Sequence, residues 1–221
     1  MYHPYDGPRR LSRNQGRVEK SVTGQTMDIP GQTVMKEATM SQCHAKQLQL
    51  RNKLRLGTWN IRSMLQLGKV QLLGEEMMRL RVDVCGLSDV RWDGDGHFTT
   101  LDGHTIVYSG RTTWGMSGVA VWIHRKTAGA FVEYEPVSDR VLVVRLNVKP
   151  RNITLIQVYG PTTAVKEEEM ERFYQDLSQA VKQVPKRDML LVMGDFNANH
   201  LQCHLLLACM ALKKRMKPVN S

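Results

Sequence analysis

The chain lacks the features that mark several classes of protein. No stretch reaches the roughly 18 consecutive apolar residues that a membrane-spanning helix needs, and residues 1–30 contain no apolar core of a secretory signal. The four cysteines, at positions 43, 85, 203 and 209, show no Cys-x-x-Cys spacing. We therefore expect no disulfide framework, and an intracellular protein that is not secreted.

Phosphate-binding loops rich in glycine are also absent. The segment GMSGVA at 115–120 matches neither a Walker loop nor a dinucleotide fingerprint. What is present is an ordinary globular composition, with 42% apolar and 24% charged residues in a chain of 221. This composition excludes wholesale disorder and predicts one domain, with or without tails.

The net charge of +10 is concentrated at the two ends of the chain. Residues 1–53 carry nine Lys/Arg against four Asp/Glu, residues 201–221 carry four against none, and residues 54–200 carry eighteen against seventeen. Basic ends either hold a phosphate backbone without sequence preference or are solvated arms. We expect a disordered basic arm over 1–53, with a short helix near Met40–Leu50, a folded domain over 54–200 and a divergent tail over 201–221.

Apolar patterning within the folded domain alternates strand-like runs with two helical stretches. Apolar runs predict strands over 54–60, 82–88, 118–124, 141–148, 153–160 and 188–196, and the runs at 118–124, 141–148 and 153–160 are β-branched and bounded by turn residues. The segment 92–110 is rich in Asp-Gly turns and predicts a meander or hairpins.

Helical spacing of apolar residues predicts one buried face for each helix. The two faces consist of Val70, Leu73, Met77 and Leu80, and of Met170, Phe173, Leu177 and Val181. Strand, helix and strand over 54–88 form a βαβ unit, whose strands should be parallel. The predicted fold class is therefore α/β, a sandwich in which helices cover sheets.

Several apolar runs end in a polar side chain that a buried strand does not need: Asn60, Asp89, Tyr159, Asp195 and Asn197. Sites in α/β proteins are normally built at one rim of the sheet, where strands end. Carboxylate and amide oxygens suit Mg²⁺ or Mn²⁺, and Asn and Tyr can donate hydrogen bonds to a phosphate. The same residue types are also common turn formers after strands, so the pattern alone leaves both interpretations open.

Five motifs occur in order along the chain: TWNIR at 58–62, GLSDVRW at 86–92, SGVAVWI at 117–123, VYGPT at 158–162 and GDFNA at 194–198. Together they resemble the endonuclease/exonuclease/phosphatase family, and within it the endonuclease domains of RTE-type non-LTR retrotransposons. The resemblance covers about residues 54–199. It implies two packed β-sheets in a DNase-I-like sandwich, and DNA as the partner. The implied reaction is Mg²⁺- or Mn²⁺-dependent hydrolysis of a phosphodiester by in-line attack of water.

The resemblance also implies a role for each strand-end residue. Asn60 would help to position metal and phosphate, Asp89 would bind the metal, and Tyr159 would contact the phosphate. Asp195 would activate or orient the attacking water, and Asn197 would support the transition state. Such catalysis depends on positioning and electrostatics rather than on a covalent intermediate.

Two departures from the family pattern bear on activity. The position of Asp89 is usually glutamate in the family, so the carboxylate here is one methylene shorter. The family continues to a Ser-Asp-His motif with a catalytic histidine, which residues 201–221 do not match. His200 and His204 follow Asn197 too closely in sequence to replace the catalytic histidine of that motif. We therefore expect a C-terminally truncated domain with an incomplete second half and an incomplete active site.

Three hypotheses remain open at this point: an endonuclease, a non-catalytic nucleic-acid-binding or protein-interaction remnant, and an unstable partial domain. KKRMK at 213–217 fits a nuclear localisation signal, a phosphate contact or a solvated run. Three of the four tryptophans fit either core packing or base stacking, namely Trp92, Trp114 and Trp122. Four residues near the C-terminus could be read as zinc ligands: His200, Cys203, His204 and Cys209. Their spacing matches no standard structural zinc site.

Overall fold

The computed structural model describes residues 48–49, 54–110, 117–162 and 165–197. Within these residues the chain forms two helices, α1 at Lys69–Arg79 and α2 at Glu167–Gln183, and eleven strands. The strands in chain order are β1 Leu48–Gln49, β2 Leu56–Asn60, β3 Val84–Ser88, β4 Asp95–Thr99, β5 Thr105–Ser109, β6 Val119–Ile123, β7 Phe131–Ser138, β8 Val141–Leu146, β9 Val148–Lys149, β10 Ile153–Tyr159 and β11 Met189–Asp195.

The first sheet contains five strands in the order β2–β3–β6–β5–β4. Strands β2 and β3 are parallel, with Asn60 opposite Ser88, and α1 forms the crossover between them. The βαβ unit expected over 54–88 is therefore confirmed. The other neighbours are antiparallel, and β4 and β5 form the hairpin expected within 92–110.

The second sheet contains four strands in the order β11–β10–β8–β7. Strands β10 and β11 are parallel, with Tyr159 opposite Asp195, and α2 connects them. The two sheets pack face to face, because one buried cluster contains side chains of both, such as Val121 from β6 and Leu155 from β10. The predicted class, an α/β sandwich of two sheets with flanking helices, is confirmed.

Each helix covers the outer face of one sheet. Helix α1 buries Val70, Leu73 and Met77, whereas Leu80 is 47% exposed. The expectation for Leu80 was wrong: it is the C-cap residue of α1 and does not belong to the buried face of the helix. Helix α2 buries its face against the second sheet through Phe173, Leu177 and Ala180, with Val181 partly buried beside them.

Strand β7 has no counterpart among the strands expected from the sequence. Among the strands that the structure describes, it lies at the edge of the second sheet and pairs with β8 alone, and it carries Pro136 in its interior. Proline is tolerated at a sheet edge, where its missing N–H faces away from the ladder. The register breaks between Phe131 and Glu133 and again between Pro136 and Ser138, so the regular alternation that marks a strand is lost.

Part of the basic arm takes part in the fold. Strand β1 pairs in parallel with β9, with Leu48 opposite Val148. The helix expected near Met40–Leu50 is therefore wrong at Leu48–Gln49, which pair as a strand because β9 offers backbone partners. The expectations for the rest of 1–53 and for the tail from residue 201 lie outside the described residues.

A close approach between the sheets makes Gly86 of β3 sensitive to substitution. A Cβ at this position would overlap Gln157 Oε1 and would lie 2.9 Å from Met193 Cε. We expect Gly86→Ala to lower the free energy of unfolding by about 1–3 kcal/mol, because the buried Gln157 and the partly buried Met193 must both move. Gly57→Ala is the control, since its Cβ would have no neighbour closer than 3.5 Å. Urea denaturation measures both, and equal losses would contradict the close-approach argument.

Buried imidazoles make the fold sensitive to acid. His104 is 1% exposed and packs against Trp122 in a tilted arrangement with ring centroids 4.6 Å apart. Burial lowers the pKa of His104, as it does for His97 and His124. The unfolded chain therefore binds more protons, and the free energy of unfolding should fall as pH drops below about 6.5. Urea denaturation between pH 7.5 and 5 should show a smaller fall in His104→Phe; an identical fall would exclude His104 as a cause.

Candidate active site at the carboxyl ends of the parallel strands

The two parallel strand pairs end at a common rim. Strands β2 and β3 end at Asn60 and Ser88, and β10 and β11 end at Tyr159 and Asp195. Strand β11 also packs against β2 and β3, which brings the edge of the second sheet beside the edge of the first. A hydrogen bond 2.7 Å long, donated by Asn60 Nδ2 to Asp195 Oδ2, joins the two sheets at this point.

The Asp195 carboxylate is fixed by hydrogen bonds to both oxygens. Its Oδ2 accepts from Asn60, and its Oδ1 accepts from the backbone N–H of Asn197 at 3.1 Å. Asn197 has a positive φ of 45° and donates through Nδ2 to the Gly160 carbonyl at 2.8 Å. The turn after β11 is thus fastened to the end of β10, and Asp195 is held by neutral donors.

Two buried polar residues that the sequence analysis missed support this rim. Ser88 Oγ donates to the Val158 carbonyl at 3.1 Å and accepts from Gln157 Nε2 at 3.0 Å. The backbone N–H of Asp195 also donates to Ser88 Oγ, at 3.4 Å. Ser88 and Gln157 are both fully buried. The sequence signal for both is a polar residue inside an apolar run, Ser88 in GLSD and Gln157 in LIQVY. The strand-end rule considers only the residue at which a run ends.

Asp89 follows β3 directly and is paired with a cation. Arg91 donates from Nε to Oδ1 at 2.8 Å and from Nη2 to Oδ2 at 3.1 Å. These hydrogen bonds, followed by the charge of Asp89, raise the pKa of Arg91. Both residues have positive φ, and the N–H of Arg91 donates to the Ser117 carbonyl at 2.7 Å. The Asp89 side chain is 9% exposed, so it lies at the rim beneath Arg91.

Tyr159 is in contact with an arginine that the sequence analysis also missed. The Arg140 guanidinium lies 5.6 Å from the Tyr159 ring centroid, and Nη1 donates to the Tyr159 carbonyl at 3.3 Å. Glu169 of α2 accepts from Arg140 Nη2 at 2.9 Å. Burial raises the pKa of Tyr159, and Asp89 and Asp195 add to the effect while Arg140 opposes it. The phenol is therefore a neutral hydrogen-bond donor at pH 7.

The rim brings the five expected site residues to one edge of the sandwich. Asn60, Asp195 and Asn197 form one hydrogen-bonded unit. Tyr159 is the register partner of Asp195, and its pKa responds to both carboxylates. Asp89 belongs to the same rim but is bound to Arg91 rather than to the other four. Their chemical roles stay predictions.

The oxygen donors at the rim fit a hard divalent ion in kind. Carboxylates and an amide oxygen are the ligands that Mg²⁺ prefers, together with water, and the rim offers Asp89, Asp195 and Asn60. Among the described residues no group of three His, Cys, Asp or Glu is arranged to hold a metal. The Asp89 oxygens face Arg91, so the ion would have to share or displace that contact.

The other candidates from the sequence are core residues or lie outside the described ranges. Trp92 and Trp122 are 6% and 0% exposed, so both belong to the core. Cys85 is buried in β3, and burial raises its pKa to about 12. Trp114, the four possible zinc ligands and the basic run at 213–217 fall outside the described residues. Neither helix found in the described part of the chain is long and apolar enough to cross a bilayer.

Comparisons with known proteins agree with this architecture. The sequence model described as Endonuclease/Exonuclease/phosphatase family matches residues 57–206. Craniofacial development protein 2 of Bos taurus is 39% identical over 143 residues, which are 65% of this chain and 24% of that protein. The chain thus spans about a quarter of the length of the curated relative.

Solved structures show the same fold at low sequence identity. The endonuclease domain of TRAS1, a telomere-specific non-LTR retrotransposon, gives a TM-score of 0.53 at 15% identity, covering 72% of this chain and 71% of that domain. TDP2 of D. rerio, in complex with a single-strand DNA product, gives 0.50 at 13% identity, covering 69% and 64%. The family match covers more than half of the chain. The chain therefore belongs to the endonuclease/exonuclease/phosphatase family, and its sandwich is the DNase-I-like fold.

The buried serine at the rim provides a test of how the site is supported. Ser88→Ala would leave Gln157 Nε2 and the Asp195 N–H without their shared acceptor. We expect a loss of about 1–3 kcal/mol in the free energy of unfolding, since the Asp195 N–H would lose this acceptor and the buried Gln157 Nε2 would keep only the Val158 carbonyl at 3.3 Å. Ser109→Ala is the control, because Ser109 Oγ donates a single hydrogen bond, 2.8 Å long, to the Ser138 carbonyl. Urea denaturation should show the larger loss in Ser88→Ala, and the reverse order would contradict the supporting role.

Proposed function

We propose that this chain carries a nuclease-type site of retrotransposon descent that hydrolyses phosphodiester bonds in DNA with Mg²⁺ or Mn²⁺. The observation that carries the proposal is the Asn60–Asp195–Asn197 unit, which fixes a carboxylate at the rim where both parallel strand pairs end. The likeness to TRAS1 and to a DNA-bound TDP2 favours the same class of substrate.

The residues of the rim supply complementary chemistry. Asp195 is oriented by neutral donors, and a carboxylate held in this way can accept a proton from water or orient it. Tyr159 is a neutral phenol and can donate a hydrogen bond to a phosphoryl oxygen as charge develops there. Asn60 fixes the direction of the Asp195 carboxylate, and Asn197 fixes the turn that carries it.

Asp89 and Asn60 are the residues that would hold the divalent ion. When bound, such an ion supplies electrostatic stabilisation of the charge on the phosphoryl oxygens. Asp89 contributes the negative charge at this end of the rim, and Asn60 contributes an amide oxygen while its nitrogen binds Asp195.

A second candidate is a non-catalytic module that binds nucleic acid or another protein. The observation that favours it is the Asp89 carboxylate, both of whose oxygens are occupied by Arg91. The positive charge at the two ends of the chain would then supply the affinity for a phosphate backbone.

Nicking of supercoiled plasmid by the full chain with Mg²⁺ tests the catalytic proposal. We expect Asp195→Asn to reduce the nicking rate by about 100-fold or more, because the amide cannot accept a proton from water. Asp195→Asn keeps the size of the side chain, and Asp102→Asn in the turn between β4 and β5 is the matched control, expected to retain the wild-type rate.

No nicking above the Asp195→Asn level would exclude hydrolysis by this chain. Fluorescence anisotropy with a labelled DNA duplex then decides on the second candidate. Binding whose affinity falls steeply with salt, and is lost when residues 1–53 and 213–217 are deleted, would support a binding module. An affinity unchanged by both deletions would contradict it.

A further inference from the structure

The carboxylate of Asp89 is bound by a side chain of its own loop. Arg91 donates from Nε to Oδ1 at 2.8 Å and from Nη2 to Oδ2 at 3.1 Å, so a single guanidinium binds both oxygens. The Asp89 side chain is 9% exposed and that of Arg91 is 42% exposed. Bidentate arginine–carboxylate pairs are charge-assisted and geometrically specific. The negative charge of Asp89 is therefore already balanced within the protein.

The backbone of the loop holds this pair in place. Asp89 and Arg91 have φ values of 59° and 66°, a region that residues other than glycine seldom adopt. The Asp89 carbonyl accepts from the Ser63 N–H at 2.7 Å, and the Arg91 N–H donates to the Ser117 carbonyl at 2.7 Å. Val90 between them is 1% exposed. The ion pair is thus fixed by a loop anchored on both sides, unlike a contact between two mobile surface side chains.

The other carboxylate of the rim is held without a cation. Asp195 accepts hydrogen bonds from the Asn60 side chain and the Asn197 backbone, both neutral donors. The ion pairs within the described residues include Asp89 but not Asp195. A divalent cation approaching the rim would therefore meet the Arg91 charge at Asp89 and no such charge at Asp195.

We propose that Arg91 is an internal counter-ion that competes with the divalent cation for Asp89. Binding of the cation then requires the guanidinium to leave, because two charge-assisted hydrogen bonds must break and the two positive charges repel each other. The inference rests on the proposed function, since it takes Asp89 as a ligand of the ion. Arg91 is 42% exposed, so its side chain has solvent to move into, where its planar group can bind a phosphate oxygen.

Titration of the full chain with Mn²⁺, followed by electron paramagnetic resonance of the free ion, measures the competition. We expect Arg91→Gln to lower the Mn²⁺ Kd by about tenfold, because the competing charge is removed. Arg91→Lys should give an intermediate Kd, since an ammonium keeps the charge but cannot form the planar fork. Arg79→Gln removes the same charge from an exposed pair with Glu76 on α1 and should stay within about twofold of wild type.

A Kd in Arg91→Gln that equals or exceeds that of Arg79→Gln would overturn the proposal, and so would undetectable Mn²⁺ binding in all variants. Asp89→Asn in the Arg91→Gln background must abolish the gain, because a persisting gain would place the ion elsewhere. Thermal unfolding by circular dichroism checks that each variant is folded. If Arg91→Gln does not fold, Arg91→Lys decides, and an unchanged Kd overturns the proposal.

The two proposals can fail independently. Tighter Mn²⁺ binding by Arg91→Gln without plasmid nicking would support the competition and exclude hydrolysis. Nicking that depends on Asp195, with no change in the Mn²⁺ Kd of Arg91→Gln, would exclude only the competition.

Discussion

The hydrogen bond between Asn60 and Asp195 is the contact on which the rest of the site depends. It joins residues 135 positions apart and connects the last residue of β2 in the first sheet to the last residue of β11 in the second. Ser88 and Gln157 stabilise the same junction from within the buried interface between the sheets. The position of the carboxylate therefore depends on how the two sheets dock, since neither sheet alone contains both partners.

Electrostatics divide the rim into two parts. At one part the Asp195 carboxylate is surrounded by amide donors, and at the other the Asp89 carboxylate is neutralised by Arg91. Both carboxylates contribute to raising the pKa of Tyr159, and the Arg140 guanidinium lies over its ring. The rim therefore contains one carboxylate bound by neutral donors and a second carboxylate whose charge is balanced by Arg91.

Periodicity predicted the parallel β2–β3 pair and both helices, because apolar runs and helical apolar faces are local signals. It missed β7, whose alternation is broken by Pro136 and two register shifts, and it misplaced Leu80, which lies just beyond the last helical residue. The strand-end rule found the rim residues, since side chains ending parallel strands share an edge. It could not predict the roles of Ser88, Gln157 and Arg140 or the Arg91–Asp89 ion pair. Those contacts depend on how the sheets and loops approach each other in three dimensions.

The long sequence separation within the Asn60–Asp195 pair also has a consequence for biosynthesis. Among the described residues, the last strand of the first sheet along the chain ends at Ile123, so these strands can pair while the chain is still being translated. Asp195 leaves the ribosome seventy-odd residues later, at the end of β11, which comes last along the chain of the four second-sheet strands that the structure describes. A nascent chain therefore carries Asn60 and Asp89 on a formed sheet but no assembled rim, and any ligand that needs both sheets meets its binding surface only after that strand has emerged.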